Sequence, residues 1–198
     1  MNVYVESNFV LELALLQEEE ADCEEILRQC EMEGMRLVIP AYCLMEPYET
    51  LIRRKADRRQ LKYVLDGQYR QIARTVLYRH QLQDFESATS LLVDTAIEDL
   101  ARLGRVRSRL LDCAELAPLE DAVLDRAAEQ QARHELSAQD AVVFASILVH
   151  QERSAEPGCF ISRDSDFNDP DIRRELKEHN CKLLIGFGAA LQFLRRAV

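Results

Sequence analysis

Four short, mostly apolar runs, each leading into a helical pattern, constrain this chain more than any other feature. They are Val3-Tyr4-Val5, Arg36-Leu37-Val38-Ile39, Gly158-Cys159-Phe160-Ile161-Ser162 and Lys182-Leu183-Leu184-Ile185. Runs this short, with little polar alternation, suit strands buried on both faces. Strands that alternate with helices argue a parallel sheet covered on each side. The predicted class is therefore α/β, a three-layer α/β/α arrangement with a short central parallel sheet of four or five strands.

Apolar spacing at helical period fills the intervals. Helices are predicted over Asn8 to Leu16 and over Glu18 to Glu33, the second carrying Cys23, Ile26, Leu27 and Cys30 on one stripe and stopping at Gly34. Pro40 suits the first turn of a helix over Ala41 to Lys55. Leu61, Val64, Leu65, Ile72, Val76 and Leu77 mark a long amphipathic segment, with Asp66-Gly67 as a candidate break. Further helices are predicted over Ala88 to Leu103, from Pro118 to about His134, from Ser137 to about Gln151, and over Asp171 to Glu178 and Ala189 to Arg196.

Composition narrows the class. The formal net charge is −10 and the pI about 5.0, which excludes a wholly basic nucleic-acid protein but leaves room for a local basic face. No apolar run approaches the roughly 20 residues that span a bilayer, and the N-terminus lacks a basic segment followed by an apolar one. The six cysteines (Cys23, Cys30, Cys43, Cys113, Cys159, Cys181) are scattered, without a CxxC pair. They read as reduced core residues of a cytoplasmic protein.

Acids are abundant, so position has to single out the few that matter. In open parallel sheets, ligands bind beyond the carboxyl ends of the strands. Glu6 follows the first strand at once, and Asp164 and Asp166 follow the strand that ends at Ser162. Glu46 is expected about two turns into the helix after the second strand, and Asp140 in the first turn of the helix that precedes the third. If the first and third strands are neighbours, these acids converge into a hard-oxygen site of the kind that prefers Mg²⁺ or Mn²⁺.

The same residues resemble the PIN domain, a fold of small metal-dependent ribonucleases. Its strand followed by Asp-Ser/Thr-Asn is matched by Val5-Glu6-Ser7-Asn8-Phe9. Its glutamate in the helix after strand two is matched by Glu46 in Ile39-Pro40-Ala41-Tyr42-Cys43-Leu44-Met45-Glu46. Its Leu-Ser-x-x-Asp-Ala is matched by Leu136-Ser137-Ala138-Gln139-Asp140-Ala141. Its Thr/Ser-x-Asp-x-Asp-Phe is matched by Ser162-Arg163-Asp164-Ser165-Asp166-Phe167. Glu6 departs from the pattern: it keeps the charge of the usual Asp and adds a methylene. The stretch between Glu46 and Asp140 is longer than in compact members, which implies a helical insertion at about 57–115 within a single domain over 1–198.

The resemblance implies hydrolysis of RNA phosphodiesters with Mg²⁺ or Mn²⁺. Glu6, Glu46, Asp140 and Asp164 would be catalytic. Glu6, Asp140, Asp164 and Asp166 would be the metal ligands, with Asn8 and Ser162 as hydrogen-bond partners that orient them. It also implies a homodimer and, for a toxin-type endoribonuclease, an antitoxin partner. Simpler roles stand beside these. Ser137 to Asp140 also fits a capping box, Glu49 competes with Glu46, and Asp166 could only organise the turn before a packing Phe167. The alternative function is a non-catalytic PIN-like module that binds RNA or protein.

One charge run remains. Between Arg53 and Arg79 lie Arg53, Arg54, Lys55, Arg58, Arg59, Lys62, Arg70, Arg74 and Arg79, with Asp57 and Asp66 as the acids among them. Tyr63, Tyr69 and Tyr78 are interleaved. Such a face would hold an RNA backbone, or it would be a solvated helix paired with acidic neighbours. Arg53, Arg54, Lys55, Arg58, Arg59, Lys62, Arg70 and Arg74 are the RNA-binding candidates.

Overall fold

The computed structural model describes residues 1–32 and 34–197, with the side chains of residues 79–81, 83, 84, 86 and 197 left aside. The helix end expected at Glu33 and the side chains of Arg79 and His80 lie outside the described residues. Five strands form one parallel sheet: β1 (Asn2–Val5), β2 (Arg36–Pro40), β3 (Glu115–Ala117), β4 (Gly158–Ser162) and β5 (Cys181–Ile185). Their order is β3-β2-β1-β4-β5. Successive strands step outward in one direction from β1 to β3 and in the other from β4 to β5, so the β1/β4 boundary is the switch point where such sheets open a crevice. Val3, Tyr4 and Val5 are fully buried in β1, as are Cys159, Phe160 and Ile161 in β4. These apolar runs form strands because helices cover both faces.

The helices among the described residues are α1 (Ser7–Leu15), α2 (Glu20–Met32), α3 (Glu46–Ile72), α4 (Leu82–Cys113), α5 (Asp121–His134), α6 (Ala138–Glu152), α7 (Pro170–Glu178) and α8 (Phe187–Ala197). Leu16 closes α1 in the left-handed conformation, and Gly34, at φ +71°, turns the chain from α2 into β2. None of the described helices is long and apolar enough to cross a membrane.

Several local expectations are corrected. Pro40 is the last residue of β2 and is followed by a 3₁₀ turn, Ala41–Leu44; the proline that opens the long helix is Pro47 in its first turn. Glu46 is therefore the first residue of α3 rather than two turns in. Asp66-Gly67 does not break α3, because packing on α4 holds the helix through it: Tyr69 stacks on Phe85 and Arg58 pairs with Asp99. Residues 57–115 thus fall in the outer part of α3, its connection to α4, α4 itself and the start of β3. The sequence pattern missed β3, a three-residue edge strand with two exposed positions and no apolar run, held by pairing with β2. Lastly, all six cysteines are free, but Cys113 is exposed and Cys30 only partly buried, so they are not all core residues.

Candidate active site

Parallel register places Val5 opposite Ile161, so the next residues, Glu6 and Ser162, emerge side by side at the carboxyl edge of the sheet. Glu6 is the N-cap of α1. Its Oε2 accepts from the Asn8 backbone N–H at 2.9 Å, and its Oε1 accepts from Ser162 Oγ at 3.0 Å. Ser162 Oγ in turn accepts from the Asp164 N–H at 2.9 Å. Glu6 is only 6% exposed. Burial, with a smaller push from Asp164, outweighs these hydrogen bonds and raises its pKa to about 7.

Glu46 opens α3 beside the start of α1. The Ser7 hydroxyl donates to its Oε2. Partial burial raises the Glu46 pKa against that hydrogen bond, and the negative fields of Asp140, Glu49 and Asp164 add to the rise. Glu49 itself is exposed one turn further along α3. Asp140 lies in the first turn of α6, capped by Ser137, whose Oγ accepts the Asp140 N–H at 3.1 Å and donates to Asp140 Oδ2 at 2.6 Å. Burial raises the Asp140 pKa, Ser137 opposes it, and Asp164 and Asp166 reinforce it. Asp164 Oδ1 accepts from the Asp166 N–H at 2.9 Å and so caps the 3₁₀ turn Ser165–Phe167, while Asp166 is exposed. Phe167 is buried edge-on against Phe160, 5.0 Å between centroids, and anchors that turn.

The carboxylates thus perturb one another across four separate chain segments. Their donors are hard oxygens, which fits Mg²⁺ or Mn²⁺. The Glu46, Asp140 and Asp164 hydrogen bonds engage one carboxylate oxygen each, whereas both oxygens of Glu6 are engaged. Among the described residues no group of three acids stands in a metal-holding arrangement. A cation would therefore have to draw these side chains inward.

Two contributors, Ser7 and Arg163, were given no role of their own from the sequence, whereas the capping role of Ser137 was expected. Ser7 orients Glu46 from 39 residues away in the chain, a contact with no local signature, and Ser137 orients Asp140 from the cap of the same helix. Arg163, next to Asp164, pairs with buried Glu12 of α1 and, at 3.0 Å, with Glu19. It ties the loop after β4 to the helix that Glu6 caps, a link with no local signature.

The basic candidates divide. Arg53, Arg54, Arg59, Arg70 and Arg74 are exposed, and Lys55 is partly buried. Arg58 reaches across to α4, donating to Thr95 at 3.1 Å and Asp99 at 3.3 Å. Lys62 is paired with Asp66 at 3.0 Å.

A family model described as PIN domain matches residues 3–167, a span that includes every acid above. No curated protein and no solved structure matches the chain.

Proposed function

The chain belongs to the PIN-domain family, whose members are mostly metal-dependent nucleases, and on that premise we propose that it is a Mg²⁺- or Mn²⁺-dependent endoribonuclease. The observation that carries the proposal is the meeting of Glu6, Glu46, Asp140 and Asp164 at one sheet edge, each of the first three with a pKa raised partly by another acid of the group. Perturbed acids gathered at the carboxyl edge of a parallel sheet point to a functional site more than to a solvated surface.

Glu6, Asp140, Asp164 and Asp166 would hold the cation. Bound there, it would polarise the scissile phosphate and lower the pKa of a water. The protein's own residues prepare the site. Ser162 and the Asn8 N–H fix Glu6, Ser137 fixes Asp140, and the capped turn fixes Asp164. Glu46 lies outside that ligand set. Its raised pKa suits it to take the proton of the attacking water as the phosphorus–oxygen bond to the leaving strand breaks.

Asp140→Asn and Asp164→Asn should each abolish Mn²⁺-dependent RNA cleavage while leaving the circular dichroism spectrum unchanged; cleavage at the wild-type rate in either variant overturns the proposal. One observation favours a non-catalytic RNA- or protein-binding module: both oxygens of Glu6 are already engaged. Calorimetric titration with Mn²⁺ separates the readings, because absent affinity, or affinity without cleavage, belongs to the binding module.

A further inference from the structure

The outer part of the α3–α4 hairpin contributes none of the candidate acids, yet it carries exposed arginines that form no ion pair among the described residues. α3 begins at Glu46 in the candidate active site and runs for 27 residues, about 40 Å at 1.5 Å per residue. Arg58 and Lys62 are engaged within the hairpin. Among the described residues, Arg53, Arg54, Arg59, Arg70 and Arg74 form no ion pair, and all five are exposed. Arg59, Tyr63 and Arg70 fall on one face of α3 at 100° per residue, and Arg74 follows in the turn after it. Tyr63 is 71% exposed, so its ring is open to stacking. A groove of about 330 Å³ between α3 and α4 borders the same face and is lined by Lys62, Asp66, Tyr69, Arg70, Thr89 and Ser90.

We infer that this outer face of α3 is a binding track for a nucleic-acid backbone, separate from the site of cleavage and leading away from it. The inference rests on the nuclease reading and adds a property of the substrate, namely that it extends well beyond the bond that is cut. Arg59 lies 13 residues and Arg70 lies 24 residues beyond Glu46, about 20 and 36 Å along the helix. An acidic chain of net charge −10 repels phosphate over most of its surface. A polyanion would therefore settle where arginines lack acidic partners among the described residues. An exposed tyrosine among those arginines supplies the stacking surface that single-stranded nucleic acid uses.

The test is RNA binding by fluorescence anisotropy in EDTA, with a 6-nucleotide and a 24-nucleotide RNA of related sequence. The full-length protein should bind the longer RNA about tenfold or more tightly. Its log affinity should also fall with log salt more steeply, by about 2 in slope if three phosphates are contacted. The triple variant Arg59→Gln, Arg70→Gln, Arg74→Gln should keep its circular dichroism spectrum and lose both the length advantage and the extra slope. Equal wild-type affinity for the two RNAs overturns the inference without any variant. So does a triple variant that keeps the advantage. A triple variant whose RNA affinity is unchanged but whose mass in solution shifts would assign the face to a second protein copy and also overturn it. The assay contains no cleavage step, so its failure is distinct from inactivity of the nuclease, which Asp140→Asn and Asp164→Asn report.

Discussion

An ionised carboxylate buried as deeply as Glu6 costs several kcal/mol unless charged partners compensate, and its hydrogen-bond partners here, the Ser162 hydroxyl and the backbone N–H and side chain of Asn8, are neutral. The consequence is a folded-state pKa of about 7 against an ordinary value of 4.5. The native state then holds the proton more tightly than the unfolded chain. Its contribution is complete below about pH 4.5 and lost as pH rises through about 7. Glu46 and Asp140 are shifted in the same direction. The metal-free protein should therefore melt at a lower temperature at about pH 8 than at about pH 5, and Glu6→Gln should flatten the decline by up to about 3 kcal/mol. A melting temperature that rises across this window in calorimetry would contradict the assignment. Glu175 has the opposite sign. Burial pushes its pKa up, but His134 at 3.0 Å, Gln130 at 2.8 Å and Arg133 at 3.1 Å hold it down. Its contribution should be lost only as pH falls below the ordinary carboxylate range. The candidate acids were legible residue by residue because each follows a strand or lies in the first turn of a helix. Their hydrogen-bond partners were harder to read, since Ser162 meets Glu6 only through sheet register.

Within elements, two glycines show how position decides the sign of a substitution. Gly67 lies inside α3 with nothing within 4 Å of where a Cβ would stand. Gly67→Ala should stabilise the protein by up to about 1 kcal/mol through helix propensity alone. Gly158 opens β4, and a Cβ there would stand 2.6 Å from Gln151 Oε1, 3.0 Å from Tyr4 Cε2 and 3.1 Å from Cys181 Sγ. Gly158→Ala should cost about 1–3 kcal/mol by overpacking. Urea-denaturation midpoints should move in opposite directions for the two variants. Gly67 also explains why the end of the helix was misread. Its intrinsic cost argues for a break, but contacts with the neighbouring helix, Tyr69 with Phe85 and Arg58 with Asp99, carry the helix through.

For the whole molecule, the arrangement is a closed fold that confines like charges at one edge. That confinement is a cost the metal-free protein carries, and a divalent cation would relieve it. Mn²⁺ at a hundred times its dissociation constant should stabilise the protein by about 2.7 kcal/mol, read as a rise in melting temperature that grows above about pH 7. Asp164→Asn should lose most of that rise. No rise in wild type at millimolar Mn²⁺ would favour the binding module over the nuclease.

The sequence by itself determined four of the five strands, most helices and the chain positions of the acids, because apolar period, caps and strand-end acids are local signals. The α/β class follows from their alternation. Tertiary structure decided what local signals cannot carry. It made β1 and β4 neighbours, which turns Glu6 and Ser162 into a hydrogen-bonded pair. It recruited β3 through pairing alone. It also sorted one run of basic residues into those engaged by α4 or by Asp66 and those left facing solvent. Side chains of the same type acquire different chemistry only when the fold sets their distance from water and from opposite charge.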